Sequence, residues 1–460
     1  MGRGLCLPYY GQERHPDAAW VVDRSKGVAV VSLNAASFVV ATALVSGLLF
    51  VATVPATANA SGLGGISSGP AYSGPIAGLG GSSMLDQLAA LPRPDLEAFG
   101  SAHPEKITRL LAEPPTAKSV ATWWSLTPQA TRGALEDSVP ALVGNLDGLP
   151  ADVRDAANRV VLEQEIADAT AELPNLGRSA RVAAKQRLHM LQEIDTSLDV
   201  PSSAPKHSLL TLDTTWPGRA AIAIGDLETA EYVSYFVPGM WFSTDRLIVE
   251  WTVIAEDLYT EQTRWAREIG RDDPALRGAS VATIAWIGYE TPGVVDVGSL
   301  DLARTGATAL AGAVGGVQAD RVRDDPFVTL LAHSYGSTAS LMAIANGGVD
   351  VDALVLIGSP GGGATSVAGL GMTSDQVYVG EADGDFVTAS GFFGSNPGSS
   401  SFGASSMNVS GGEDPLTGDD LAGAPGHLGY FDRGSESMRN MALVGLGRGD
   451  LVTTPAHPDR

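Results

Sequence analysis

The chain reads Phe327-Val-Thr-Leu-Leu-Ala-His-Ser334-Tyr-Gly-Ser-Thr-Ala-Ser-Leu-Met-Ala343 in its last third. Phe327–Ala332 is an apolar run with the length and β-branched content of a buried strand. It passes directly into His333-Ser334-Tyr335-Gly336-Ser337, and a small-residue helical pattern follows from Thr338 through Asn346. Strand, sharp turn carrying a serine, then helix is the context of a nucleophile elbow. The turn strains the serine backbone, so the residues two before and two after it must be small. Here they are Ala332 and Gly336. Alanine departs from the G-x-S-x-G form but meets the steric need. The competing reading is an ordinary strand-to-helix turn with a solvent-facing serine.

The rhythm of the chain around this stretch predicts an α/β fold. From Ser208 onward, Leu209–Leu212, Ala220–Ile224, Tyr232–Val237, Val281–Trp286, Phe327–Ala332, Leu354–Ile357 and Val377–Val379 read as short strands. Helical patterns over Ile248–Trp265, Leu302–Val314 and Thr338–Ala345 alternate with the later ones. Such alternation implies a mostly parallel sheet with helices on both faces, binding ligands at the carboxyl ends of its strands. The short connections between the first three strands predict an antiparallel edge. Upstream, residues 84–205 are helical, cut into short pieces by prolines and then running through Ala151–Leu173 and Val182–Ile194. Thr127-Pro128 reads as a helix start with Thr127 as its cap. This region is either a helical layer on the main domain or a lid or partner-binding hairpin.

The amino terminus reads as an export element. Gly27–Val54 is an apolar run after Arg24 and Lys26, and Ala58-Asn59-Ala60 fits a small-x-small cleavage site. The run is also long enough for an uncleaved anchor, so residues 27–54 imply either a signal peptide or membrane association. The expected division is 1–60 signal peptide or anchor, 61–83 Gly/Ser-rich linker, 84–205 helical region and 206–460 catalytic domain. The expected location is secreted or at the cell surface.

Composition narrows the partners. With 52 acidic and 29 basic residues the formal net charge is −23, a field that repels nucleic acid and anionic headgroups. Cys6 is the only cysteine, so the chain forms no internal disulfide and has no cysteine nucleophile.

A serine hydroxyl needs a base, and the base needs an orienting group. His427 lies in Gly426-His427-Leu428-Gly429-Tyr430-Phe431, after the last predicted strand, where the order Ser, acid, His demands the base. The side chain of His333, next to the serine, is expected to point away from the site. The acid comes from Glu381-Ala382-Asp383-Gly384-Asp385-Phe386-Val387; Asp385 fits the D-x-V form, and Asp383 is its rival. Donors for a developing oxyanion are the Tyr335 amide, directly after the serine, and the Met240 amide in Pro238-Gly239-Met240. Gly358-Ser359-Pro360-Gly361-Gly362-Gly363 is followed by no lysine or helix start, so it reads as a loop beside the site, not a phosphate cradle. No metal or cofactor is expected.

In order, Val237-Pro238-Gly239, Ala285-Trp286-Ile287-Gly288-Tyr289, His333–Ser337, Gly358-Ser359-Pro360-Gly361 and Gly426-His427 resemble a bacterial α/β-hydrolase family of unknown function. Trp123-Trp124, Gly144–Pro150, Arg154-Asp155 and Ala157-Asn158-Arg159 are similar to its amino-terminal helical region. The resemblance spans about residues 120–442 and implies the α/β-hydrolase fold with Ser334, an acid and His427. The function expected is an exported serine hydrolase cleaving small-molecule or lipid carboxylic esters. The alternatives are an acyltransferase on envelope lipids or glycans, or a non-enzymatic, surface-tethered binding protein.

Overall fold

The computed structural model describes residues 19–23, 28–32, 81–293 and 296–455. The chain divides into two units, 1–66 and 67–460. In the first, β1 (Ala19–Asp23) and β2 (Val28–Ser32) pair as an antiparallel hairpin. The rest of the apolar segment, the Ala58–Ala60 site and linker residues 61–80 lie outside the described residues. Among the described residues no helix is long and apolar enough to cross a membrane.

The second unit is built on β3 (His207–Asp213), β4 (Arg219–Gly225), β5 (Tyr232–Val237), β6 (Val281–Ile287), β7 (Phe327–His333), β8 (Ala353–Ile357), β9 (Val377–Gly380) and β10 (Ser405–Ser406). They form one sheet in the order β10-β9-β8-β7-β5-β6-β4-β3. The β3–β4 and β4–β6 pairs are antiparallel and all the others parallel. The expected antiparallel edge therefore holds only two of the first three strands. β5 is buried along nearly its whole length and lies between β6 and β7, parallel to both. A strand apolar on both faces gains more from a central position than from an edge.

Helices α9 (Thr244–Ile269) and α12 (Glu436–Val444) pack on one face through Trp251, Leu258, Trp265 and Met441. Helices α10 (Asp301–Asp320) and α11 (Tyr335–Ala345) pack on the other through Ala307, Leu310, Ala339 and Leu341. Alternate residues of β5 divide between the two cores: Phe236 faces the first, and Val233, Tyr235 and Val237 the second. Each fully buried large side chain of this kind contributes about 1.5–3 kcal/mol.

The helical region begins with α1–α6 (Gly81–Ala90, Arg93–Ala102, Pro104–Ala112, Ala117–Leu126, Gln129–Ser138, Pro140–Val143), which enclose their own core around Phe99, Trp124 and Leu142. Thr127 closes α4 and does not cap α5: its hydroxyl donates to the Trp123 carbonyl at 2.8 Å. Then α7 (Ala151–Glu172) and α8 (Arg178–Leu198) follow. The polar residues 145–159 noted in the sequence cover the open edge of β3. The Leu209 amide donates to Asp155 Oδ1 at 2.7 Å and the Leu212 amide to Asn145 Oδ1 at 2.8 Å. Asn158 Nδ2 donates to the Leu209 carbonyl at 3.0 Å and Arg159 to the His207 carbonyl at 2.8 Å. An edge strand otherwise presents unpaired backbone groups, and these four side chains satisfy them. The region thus packs as a layer along the β3 edge, with β4, β6 and β5 lying between β3 and β7, and reaches α10, where a Cβ on Gly316 would meet Asp147 and Gly148.

Candidate active site

At the end of β7 the backbone turns at Ser334 with φ +53° and ψ −129°. A non-glycine residue there carries about 1–3 kcal/mol of strain. It is held by the Ser334 amide donating to the Ile357 carbonyl at 3.0 Å and by the buried helix behind it. Small neighbours are required, as expected: a Cβ on Gly336 would strike the Pro238 and Val237 carbonyls. Ala332 is fully buried between its partners Val237 and Leu356.

His427 arrives on a 3-10 turn, Gly426–Phe431. Its Nε2 lies 2.9 Å from Ser334 Oγ. Its Nδ1 lies 2.9 Å from Asp385 Oδ2 and 3.0 Å from Oδ1. An ionised carboxylate only accepts, so Nδ1 carries the proton and Nε2 is free to accept from the serine hydroxyl. Asp385 follows β9, is closed off from solvent, and also accepts from Tyr430 Oη at 2.7 Å and the Val387 amide at 3.0 Å. Burial pushes its carboxyl up, but the hydrogen bonds from His427, Tyr430 and Val387 outweigh that and hold it below its ordinary range. Asp383 stands exposed on the same turn. Of the two aspartates, Asp385 is the one that meets His427. The His457 position lies outside the described residues.

The Pro238–Trp241 loop reaches the serine from the end of β5. Tyr289 Oη donates to the Pro238 carbonyl at 2.7 Å, and the Trp241 amide to the Pro292 carbonyl at 3.2 Å. A Cβ on Gly239 would lie 2.6 Å from Ser334 Cβ and 3.1 Å from Oγ, so only glycine permits this approach. The Tyr335 side chain turns away, its hydroxyl donating to the Ser299 carbonyl at 2.5 Å and accepting from the Ala303 amide at 3.0 Å. Its amide opens α11 and is one of those that a helix leaves without an intrahelical acceptor. Gly239→Ala is expected to lower turnover by about a hundredfold or more, because displacing reacting groups by about an ångström costs that much. Kinetics alongside thermal melting check this, and a variant with wild-type turnover contradicts the close approach.

Three supporting residues were not assigned roles from the sequence. Tyr289 braces the glycine loop and Tyr430 braces Asp385, while also accepting from the Ala382 amide at 2.8 Å. His333 is the third. Its side chain, expected to point away from the site, instead places Nε2 2.8 Å from the His427 carbonyl, and its ring packs beside His427 with centroids 4.7 Å apart. Only aromatic residues close to the motif ends marked the first two in the sequence. Gly358 forms a floor: a Cβ there would meet His427 Cε1 at 2.9 Å and Asp385 Oδ2 at 3.1 Å. Among the described residues no group of three or more His, Cys, Asp or Glu side chains is placed to hold a metal ion.

The sequence model of a family described as alpha/beta hydrolase matches residues 213–394, which include Ser334 and Asp385 and end before His427. With the sheet order described above, this match gives the chain the α/β-hydrolase fold. It is 28% identical over 382 residues to the uncharacterized protein Rv2079 of Mycobacterium tuberculosis, covering 74% of this chain and 57% of that protein. It is 29% identical over 215 residues to the uncharacterized protein Mb0988c of Mycobacterium bovis, covering 45% of this chain and 79% of that one. The chain thus spans little more than half the length of the first relative. Among solved structures, esterase Est22 aligns at 11% identity and TM-score 0.30 over 62% of this chain and 88% of that one. Carboxyl esterase 2 of the fungus Tuber melanosporum aligns at 14% and 0.31 over 55% and 89%.

Proposed function

We propose that the protein is a serine hydrolase that cleaves carboxylic esters through an acyl-enzyme on Ser334. The observation that carries this reading is the relay of 2.9 Å contacts from Ser334 Oγ to His427 and on to Asp385. His427 Nε2 takes the hydroxyl proton as Oγ bonds to the ester carbonyl carbon. The carbonyl oxygen gains the charge and accepts from the Tyr335 and Met240 amides. The C–O bond to the alcohol then breaks, and the alcohol leaves with the proton held by His427. Water repeats the sequence on the acyl-enzyme, releasing the acid and restoring Ser334.

Exposed aromatic side chains on the segments that carry the site favour an ester with apolar groups. Trp241, just beyond Gly239, is 42% exposed; Phe386, next to Asp385, is 74% exposed; and Phe392, edge-on to Phe393, which in turn packs on Tyr335, is 47% exposed. Trp241→Ala and Phe386→Ala are each expected to raise KM for a dodecanoyl p-nitrophenyl ester by roughly tenfold, with the acetyl ester little changed, as loss of one buried apolar side chain predicts. Equal effects on both esters would remove the aromatic residues from substrate binding. We also place the protein outside the cytoplasm, on the apolar run and the Ala58-Asn59-Ala60 site; amino-terminal sequencing of secreted protein starting at Ser61 tests that.

The test of the reading itself is covalent labelling. A fluorophosphonate probe should phosphonylate the folded wild-type protein at Ser334, and p-nitrophenyl esters should be hydrolysed. Folded protein that takes up no probe overturns it. Product analysis with added alcohols separates hydrolysis from acyl transfer.

A further inference from the structure

We infer that His333, the residue before Ser334, is a positioning residue that ties the His427 loop to the nucleophile strand through a single N–H donor; the inference rests on the serine-hydrolase reading above. His333 ends β7 and is 1% exposed. Its Nε2 lies 2.8 Å from the backbone carbonyl of His427. A carbonyl can only accept, so Nε2 carries the proton and Nδ1 is bare. That Nδ1 is buried and has no hydrogen-bond partner among the described residues.

The cage around the ring is aromatic. Phe431 lies 5.1 Å away centroid to centroid, Phe242 6.0 Å and Tyr430 6.1 Å, with His427 at 4.7 Å. An apolar side chain would fill such a cage without leaving a nitrogen unpaired, and an unpaired buried acceptor is costly. What the imidazole supplies beyond packing is the one N–H to His427. The charged groups acting on the ring are His427 and Asp385; burial first, then His427, push the His333 imidazole down to about 3, so it stays a neutral donor while His427 exchanges its proton.

The need for such a tie follows from the chain. Between β9 and the turn at Gly426 the main chain contributes only two-residue strands and one short 3-10 turn. The base is therefore delivered by a long irregular connection. Because His333 and Ser334 are consecutive, the bond from His333 to the His427 carbonyl and the bond from Ser334 Oγ to His427 Nε2 hold the base to one short piece of backbone at two points. That two-point hold sets the 2.9 Å separation of nucleophile and base together with the bond from His427 Nδ1 to Asp385 on the connection itself.

The experiment compares His333→Gln, His333→Asn and His333→Phe in the full chain. Glutamine places an amide N–H near the position of Nε2; asparagine is too short to reach the carbonyl; phenylalanine keeps the ring and removes the donor. For Asn and Phe, kcat should fall about 10- to 100-fold with KM within about twofold, the loss expected of reacting groups moved by about an ångström. Glutamine should recover most of the lost kcat and of the fluorophosphonate labelling rate. Thermal melting separates this from loss of fold, and the Asn and Gln pair stays informative if Phe does not fold. Wild-type kcat in Asn and Phe, or equal loss in Gln and Asn, overturns the positioning role. Wild-type protein that takes up no probe overturns both this role and the serine-hydrolase reading. A labelled wild type with indifferent variants removes His333 alone.

Discussion

Ser334→Ala is expected to abolish fluorophosphonate labelling and to lower ester hydrolysis by at least about a thousandfold, the scale on which removal of a triad nucleophile acts. The loss should fall on kcat, because the hydroxyl contributes a bond formed only along the reaction and little to ground-state binding. The fold should persist. Among the described residues Ser334 Oγ hydrogen-bonds only to His427, and the strand and helix around it are held by Ala332, Gly336 and the bond from the Ser334 amide to Ile357. A melting temperature near wild type together with lost turnover is therefore the expected pair of results. Retained turnover in a clean preparation would move the chemistry elsewhere in the molecule.

Asp385→Asn should lower kcat by roughly ten-thousandfold, because an amide there can donate to Nδ1 and so favours the tautomer whose Nε2 already holds a proton. Ser334 would then have no acceptor for its own. Asp383→Asn should stay within about twofold of wild type, as for a surface substitution outside such machinery. Equal losses in the two variants would contradict the separation of the aspartates in the structure. Asp385 also carries a pH signature. Its folded-state carboxyl is held below the ordinary value of 3.8, so its ionised form stabilises the fold above that pH. The contribution disappears as pH falls through the lowered folded value. Melting of wild type against Asp385→Asn should therefore show a difference that is constant near neutrality and changes only on the acid side of about pH 4.

The two variants also mark where sequence reading reaches its limit. Strand, serine and helix at 327–345 follow from local patterns: a run apolar on both faces, small residues around a strained turn, and small residues at helical spacing. The Tyr232–Val237 strand has the same bounds in the sequence and in the structure. The long helices at 151–172 and 244–269 were legible from their spacing, with ends extended by a few residues in the second. Thr127 was misread because Thr-Pro signals a helix start, whereas its hydroxyl bonds back into the helix before it. The strand neighbours were misread at β5 because a short connection predicts a hairpin, and burial on both faces overrides it.

Asp383 and Asp385 could not be separated in one dimension. They are two residues apart, and on an extended chain they would point to the same side. Gly384 between them has φ +78°, which breaks that relation and leaves Asp383 in solvent while Asp385 turns inward to His427, 42 residues on. The histidine before the serine shows the same limit. Its neighbours in space are Phe242, Tyr430 and Phe431, none of them near in sequence.

By itself the sequence determined the fold class, the position of the strained serine and the order of serine, acid and histidine along the chain, because each depends on periodicity or on sterics within a few residues. The tertiary structure alone decided which aspartate meets the histidine, what Asn145, Asp155 and Asn158 do at the sheet edge, and that His333 bonds the loop carrying the base. Those depend on contacts made across tens of residues, up to the 94 that separate His333 from His427, and nothing local to any of these side chains encodes its partner.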